Sequence, residues 1–204
     1  MKILCETSMR HVHLCQKDVE ELYGKGFQLE FERSLSQPGQ FLSKQRVTLV
    51  GPLRSDGNRR EIESVAVLGP QRDKTQVELS RTDCFSLGLK DIPVRQSGNL
   101  KGSGNVILKF VGNGMYGQIG VRSVTVREGV IVAKRHVHMD PETARINEFN
   151  DGEEVKVKFD GERAAELNSC VVRVREDYIP AVHLDSDEAN AVGFVSGEVW
   201  LEKL

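Results

Sequence analysis

Histidine is the residue type in this chain whose spacing most directly suggests chemistry. The chain has five histidines in 204 residues. They fall in two HxH pairs, His11-Val12-His13 and His136-Val137-His138, with His183 standing alone in Pro180-Ala181-Val182-His183-Leu184-Asp185. Residues i and i+2 of a strand point to the same face. An HxH strand therefore sets two imidazoles side by side, at the spacing one tetrahedral metal asks of two ligands. Two such pairs and a further histidine point to two metals, or to one metal with polar catalytic groups. Imidazole-rich sets joined by a carboxylate suit zinc. The first pair needs a third ligand, and Glu78, in the strand-like segment Thr75-Gln76-Val77-Glu78-Leu79-Ser80, is the candidate.

The elements that would carry these residues repeat. Arg10-His11-Val12-His13-Leu14 returns as Arg135-His136-Val137-His138-Met139, and a helical stretch follows each copy. Gln16 to Tyr23 has Val19, Leu22 and Tyr23 on one face, with Gly24 and Gly26 to stop it. After the second copy, Asp140-Pro141-Glu142 supplies an N-cap, a proline at the first helical position and an acid in the first turn. This helix is expected to end near Asn150-Asp151-Gly152. The remaining segments are strand-like: 46–50, 64–68, 106–111, 123–126, 155–159, 171–174 and 199–201 are β-branched and alternating, separated by Gly-Pro, Asp-Gly and Gly-Asn turns. A doubly wound fold would need a helix between successive strands, and the sequence has too few. The expected class is mainly β with short helices, in two pseudo-duplicated β-barrel-like halves. An approximate division is 1–112 and 113–204, with the N-terminal segment able to pack on the second half. Asn113 to Gly120 is Gly-rich but lacks a phosphate-loop signature and reads as a turn.

Composition narrows the function classes. Hydrophobic residues make up 39% of the chain, enough for a packed core. A net charge of -2 argues against a general nucleic-acid binder. No apolar run approaches the roughly 20 residues of a membrane span, and no signal peptide opens the chain, so it reads as cytoplasmic, without membrane partners. The four cysteines, Cys5, Cys15, Cys84 and Cys170, form no CxxC pair and read as ordinary buried or half-buried thiols. Homo-oligomerisation is compatible with all of this. One decoy is set aside: His136-x-His138-x3-Glu142 fits the spacing of a cupin motif, but helix capping explains Glu142 better.

At these residues the sequence resembles the PduL-type phosphate acyltransferases, also called phosphate propanoyltransferases or phosphotransacylases. The resemblance covers nearly the whole chain. It runs through the motifs at 8–13 (SMRHVH), 35–41 (LSQPGQF), 47–52 (VTLVGP), 67–70 (VLGP) and 75–83 (TQVELSRTD). It continues at 93–98 (PVRQSG), 128–138 (EGVIVAKRHVH) and 183–190 (HLDSDEAN). It implies two duplicated barrels with a dinuclear zinc site between them. By matched motifs, His11, His13 and Glu78 would hold one zinc, and His136, His138 and His183 the other. Arg72 matches the arginine the family places on phosphate, and Ser8 and Asn190 match positions near coenzyme A. Arg33 is a further candidate for the coenzyme A phosphates. Cys15 departs from the family, which usually has a small hydroxyl helix cap there. Microcompartment members carry an N-terminal targeting helix. With the first HxH at residue 11 this chain reads as a freestanding form, or as one from which such an extension was removed.

The implied reaction joins acyl-CoA (acetyl or propanoyl) and phosphate to give acyl phosphate and coenzyme A, and runs in reverse. Both reactants are anionic and a thiolate must leave. Zinc can take the thiolate, polarise the thioester carbonyl and orient phosphate. The ion at His11, His13 and Glu78 is assigned the sulfur, and the ion at His136, His138 and His183 the phosphate or water. Arg72 would clamp phosphate. No cysteine nucleophile is required. Arg10, Arg135, Arg81 and Arg95 also suit an anion pocket, though structural ion pairing explains each equally well. Phe41 and Phe85 are expected in the core. A zinc hydrolase and a structural metal module are the competing readings.

Overall fold

The computed structural model describes residues 1–113 and 119–204. The expected turn at 113–120 therefore lies largely outside the described residues. The strands are β1 (Lys2–Ser8), β2 (His11–His13), β3 (Phe31–Ser34), β4 (Phe41–Val50), β5 (Glu61–Gly69), β6 (Gln76–Leu79) and β7 (Val94–Arg95). They continue with β8 (Gly104–Asn113), β9 (Ile119–Ala133), β10 (His136–Met139), β11 (Glu154–Phe159), β12 (Ala165–Val174), β13 (Ala181–Asp185) and β14 (Gly197–Lys203). Four short helices interleave them: α1 (Gln16–Tyr23), α2 (Arg81–Leu87), α3 (Pro141–Ile146) and α4 (Ser186–Ala191). The protein is mainly β, as the alternating segments implied.

The chain does not divide at one point. One compact unit comprises Met1–Met9, Ser36–Pro38 and Ala133–Leu204; the other comprises Arg10–Leu35 and Gly39–Val132. In the first, six strands close a barrel in the order β1-β13-β10-β12-β11-β14, and β14 returns to β1. In the other the order β9-β6-β2-β5-β4-β8 closes by β8 pairing β9, with β3 on β4 and β7 extending the sheet beside β9. The two cycles match strand for strand. Each HxH strand lies parallel to one neighbour (β12 or β5) and antiparallel to the other (β13 or β6). The strand that precedes each HxH in sequence, β1 or β9, closes the barrel of the other unit, in parallel register with β13 or β6.

Alternation accounts for each barrel's interior. Val12, Val47, Leu49, Val67, Val77 and Leu108 meet in one core; Val137, Val155, Val157, Val172, Val182 and Leu201 meet in the other. Each such side chain contributes about 1.5–3 kcal/mol by leaving water. The central valine of each HxH is one of these inward residues, so the flanking histidines project from the opposite face of the wall.

Local signals set the helices. In α2 and α4 a capping box joins Ser80 to Asp83 and Asp185 to Glu188. α1 matches the expected bounds, but its N-cap, Cys15, makes no side-chain capping bond. Thr75 instead bridges the first turn from outside: its hydroxyl accepts from the Cys15 amide at 3.0 Å and donates to Asp18 at 2.5 Å. α3 ends at Ile146, several residues earlier than expected. Glu148 takes the left-handed conformation (φ 59°) and the Phe149 amide returns to Ala144 at 2.9 Å, closing the helix as a glycine usually would. Phe85 also departs from expectation and is 78% exposed. α2 turns Asp83, Cys84 and Leu87 inward, which leaves position 85 on the outer face. Phe41 does pack against a core. Cys5, Cys84 and Cys170 are buried and Cys15 half-buried, all as free thiols. No helix among the described residues is long and apolar enough to cross a membrane.

Candidate metal centres

The two strands that carry the first set are neighbours in one sheet. β2 and β6 run antiparallel with His11 opposite Glu78 and His13 opposite Gln76. All are buried, and the His11 and His13 rings stand edge to face with centroids 5.0 Å apart. His11 Nε2 lies 3.6 Å from Glu78 Oε2. One ligand atom each from His11, His13 and Glu78 fall within 4.8 Å of one another.

The second set repeats this plan in the other unit. β10 and β13 are antiparallel with His136 opposite His183, the register in which His11 faces Glu78. His183 is thus the positional counterpart of Glu78. Ring centroids of His136, His138 and His183 are 4.6–5.0 Å apart, and their ligand atoms also cluster within 4.8 Å. His138 stacks on Tyr178 at 3.9 Å, and the Arg175 guanidinium lies over the same tyrosine ring at 5.1 Å. Lys134 contributes its carbonyl oxygen, 3.0 Å from His136 Nδ1.

The electrostatics suit cation binding. Burial, then the charges of His11 and Arg72, hold the His13 imidazole well below its ordinary pKa, against the opposing pull of Glu78. Burial pushes the Glu78 carboxyl up, but His11, through charge and a hydrogen bond, with His13 and Arg72, holds it well below the carboxylate range. Burial, then His183, His136, Arg173 and Arg175, bring His138 down to about 2. A neutral His13, a neutral His138 and an ionised Glu78 are the protonation states a metal asks of those ligands. The buried Nδ1 atoms of His13 and His138 have no hydrogen-bond partner among the described residues. Orphaned buried nitrogens are costly unless something fills that role. A divalent cation fits both donor sets.

Arg72 belongs to the first centre. It donates from Nη1 to Ser97 Oγ at 3.0 Å, and Ser97 donates to Glu78 Oε1 at 3.0 Å. Gln76 Nε2 reaches the same oxygen at 2.5 Å, and its own Oε1 is held by the Gly98 amide at 2.8 Å. Ser97 and Gln76 were not anticipated. Gln76 stands two residues before Glu78 on the same strand face, so strand periodicity could have found it. Ser97 comes from the loop after β7 and leaves no such signal.

Arg10 and Arg135 each make a structural ion pair. Arg10 pairs with Asp83 at 2.8 Å and Arg135 with Glu188 at 2.7 Å. Both acids are capping-box residues, so each HxH strand is tied at its start to the helix that follows its partner ligand strand. Arg81 donates to the Ile92 carbonyl at 2.5 Å, and Arg95 has a buried Nε. Glu142 sits in the first turn of α3, outside the ligand cluster. Ser8 ends β1 opposite Asp185, the N-cap of α4, and Asn190 is exposed on α4, so both lie on one side of the same unit. Arg33 is exposed on β3 of the other unit.

Comparison with known proteins decides the family. Residues 4–195 match the family model for phosphate propanoyltransferase. The chain belongs to the phosphate propanoyltransferase family. It is 42% identical to a phosphate propanoyltransferase of Leptotrichia buccalis over 95% of this chain and 84% of that protein. It is 43% identical to one from Listeria monocytogenes, over 94% and 83% of the two chains. A Thermotoga maritima phosphate propanoyltransferase is 42% identical over 97% and 87%. This phosphate propanoyltransferase family member is an acyltransferase.

Proposed function

We propose that this protein transfers a short acyl group, propanoyl or acetyl, between coenzyme A and phosphate, with one zinc held by His11, His13 and Glu78 and a second by His136, His138 and His183. What supports it most is the linkage of Arg72 through Ser97 to Glu78, which ties an anion-binding guanidinium to a metal-ligand carboxylate in one family-matched site. The donor sets, of imidazole and carboxylate, favour zinc over harder cations.

A phosphate oxygen forms a bond to the acyl carbon, the C–S bond breaks, and the proton of hydrogen phosphate ends on the coenzyme A thiol. A bound zinc supplies Lewis acidity at the thioester and a soft acceptor for the sulfur. Arg72 clamps phosphate and offsets the repulsion between two anionic reactants. Ser97 and Gln76 hold the Glu78 carboxylate and, through Ser97, the aim of Arg72. Ser8 and Asn190, with Arg33, are assigned to coenzyme A. Cys5 and Cys170 stay out of the chemistry: burial pushes both up to about 12, which suppresses the thiolate a nucleophile needs. Four free thiols also suit the reducing cytoplasm, the compartment proposed here.

The test is to mix purified protein with propanoyl-CoA or acetyl-CoA and follow thiol release with and without phosphate. Release that depends on phosphate is expected. Release independent of phosphate would make the protein a hydrolase. No release with zinc bound would leave a structural metal module.

A further inference from the structure

We propose that Glu6 is a positioning residue for the second metal centre: held by Ser36, its carboxylate faces Nδ1 of His183 and orients that ring toward the ion. The inference rests on the reading that His136, His138 and His183 bind a metal.

Four observations lead to it. Glu6 stands directly opposite His183 in the parallel pairing of β1 with β13. Its Oε2 lies 3.7 Å from His183 Nδ1, a charge contact longer than a hydrogen bond. The same oxygen accepts from the Ser36 hydroxyl at 2.6 Å, so the carboxylate is itself held in place. Glu6 is absent from the cluster of mutually close ligand atoms, which contains only the three histidines. It therefore stands one step behind the ligand set rather than in it.

Charge gives the arrangement a purpose. The first set carries a carboxylate, Glu78, and the strand beyond it offers Ile131 at the matching position. The second set has His183 where Glu78 would be, and the strand beyond it offers Glu6. One carboxylate accompanies each set, displaced by one strand in the second. Arg173 faces His138 in register and Arg175 covers Tyr178, so cationic groups flank this set and the Glu6 carboxylate offsets them. A carboxylate behind a ligating histidine fixes the tautomer, presents the other ring nitrogen to the metal and raises its basicity. Loss of such a partner typically costs about 10–100-fold in metal affinity.

The test uses the full chain, stripped of metal and titrated with zinc against a chromophoric chelator. Wild type should take two ions. Glu6→Gln, which keeps the shape and removes the charge, should still take two, with one weakened by roughly 10–100-fold. Ser36→Ala should weaken the same step by less and serves if Glu6→Gln does not fold. In a His183→Ala background, Glu6→Gln should leave Tm unchanged, whereas a merely structural Glu6 would still lower it. A Glu6→Gln isotherm that overlays wild type overturns the proposal and leaves the metal reading standing. A wild type that binds fewer than two ions overturns both.

Discussion

The two units build one ligand geometry from different residues. In both, an HxH strand pairs antiparallel with a strand whose side chain opposite the first histidine completes the set. In one unit that residue is Glu78; in the other it is His183. Backbone register therefore fixes where a ligand stands, while the identity of one side chain sets the charge of the centre. Each unit also locks its HxH by the same device, Arg10 to Asp83 and Arg135 to Glu188, with both acids doubling as helix caps. What differs is the surroundings. The Glu78 centre is tied to Arg72 through Ser97, whereas the His183 centre stacks on Tyr178 and is backed by Glu6. The Glu78 set thus has a guanidinium one hydroxyl away, and the His183 set an aromatic ring and a carboxylate.

That contrast can be broken at graded cost. His136→Ala should have the largest effect, lowering phosphate-dependent thiol release by more than about 100-fold, because losing a ligand exceeds losing an outer partner. Zinc content should fall by one ion, read by metal analysis. Arg72→Ala should cut kcat/KM for phosphate roughly 10–100-fold, the worth of hydrogen bonds to a charged group, with both ions retained. Unchanged phosphate kinetics would remove Arg72 from the site. Ser97→Ala should cost about 3–10-fold in the same parameter, since a net neutral hydrogen bond is worth about 0.5–1.5 kcal/mol. An equal loss in the acyl-CoA parameters alone would contradict its place beside Arg72. Asp140→Ala should touch stability only. Its carboxylate caps α3 by accepting from the Thr143 amide at 2.9 Å, and losing it should cost about 1 kcal/mol and lower Tm by a few degrees, with zinc content unchanged.

Much of this architecture is legible in the residues. The strand segments at 46–50, 64–68, 106–111, 123–126, 155–159, 171–174 and 199–201 and α1 follow from alternation and from the spacing of Val19, Leu22 and Tyr23, because local periodicity records which face is buried. β1, β3, β7 and β13 do not show that pattern clearly enough to be read. The closure of the barrels is not legible. β1 pairs with β13 and β14, and strands so far apart in the chain leave no local trace of their partnership. The end of α3 is hidden because Glu148, not glycine, takes the left-handed position. Within the centres, the HxH repeat exposes the histidines because strand period and ligand spacing coincide. Ser97, Tyr178 and Glu6 lie on other segments and become neighbours only through the fold.

On the proposed function, two register-matched positions, Glu78 and His183, each complete a separate zinc set. Zinc content per chain, measured after exhaustive dialysis, tests it most directly. Two ions are expected for the wild type, one for Glu78→Ala, one for His183→Ala and none for the double variant. Two ions in both single variants, or the loss of both ions from either one, would contradict it.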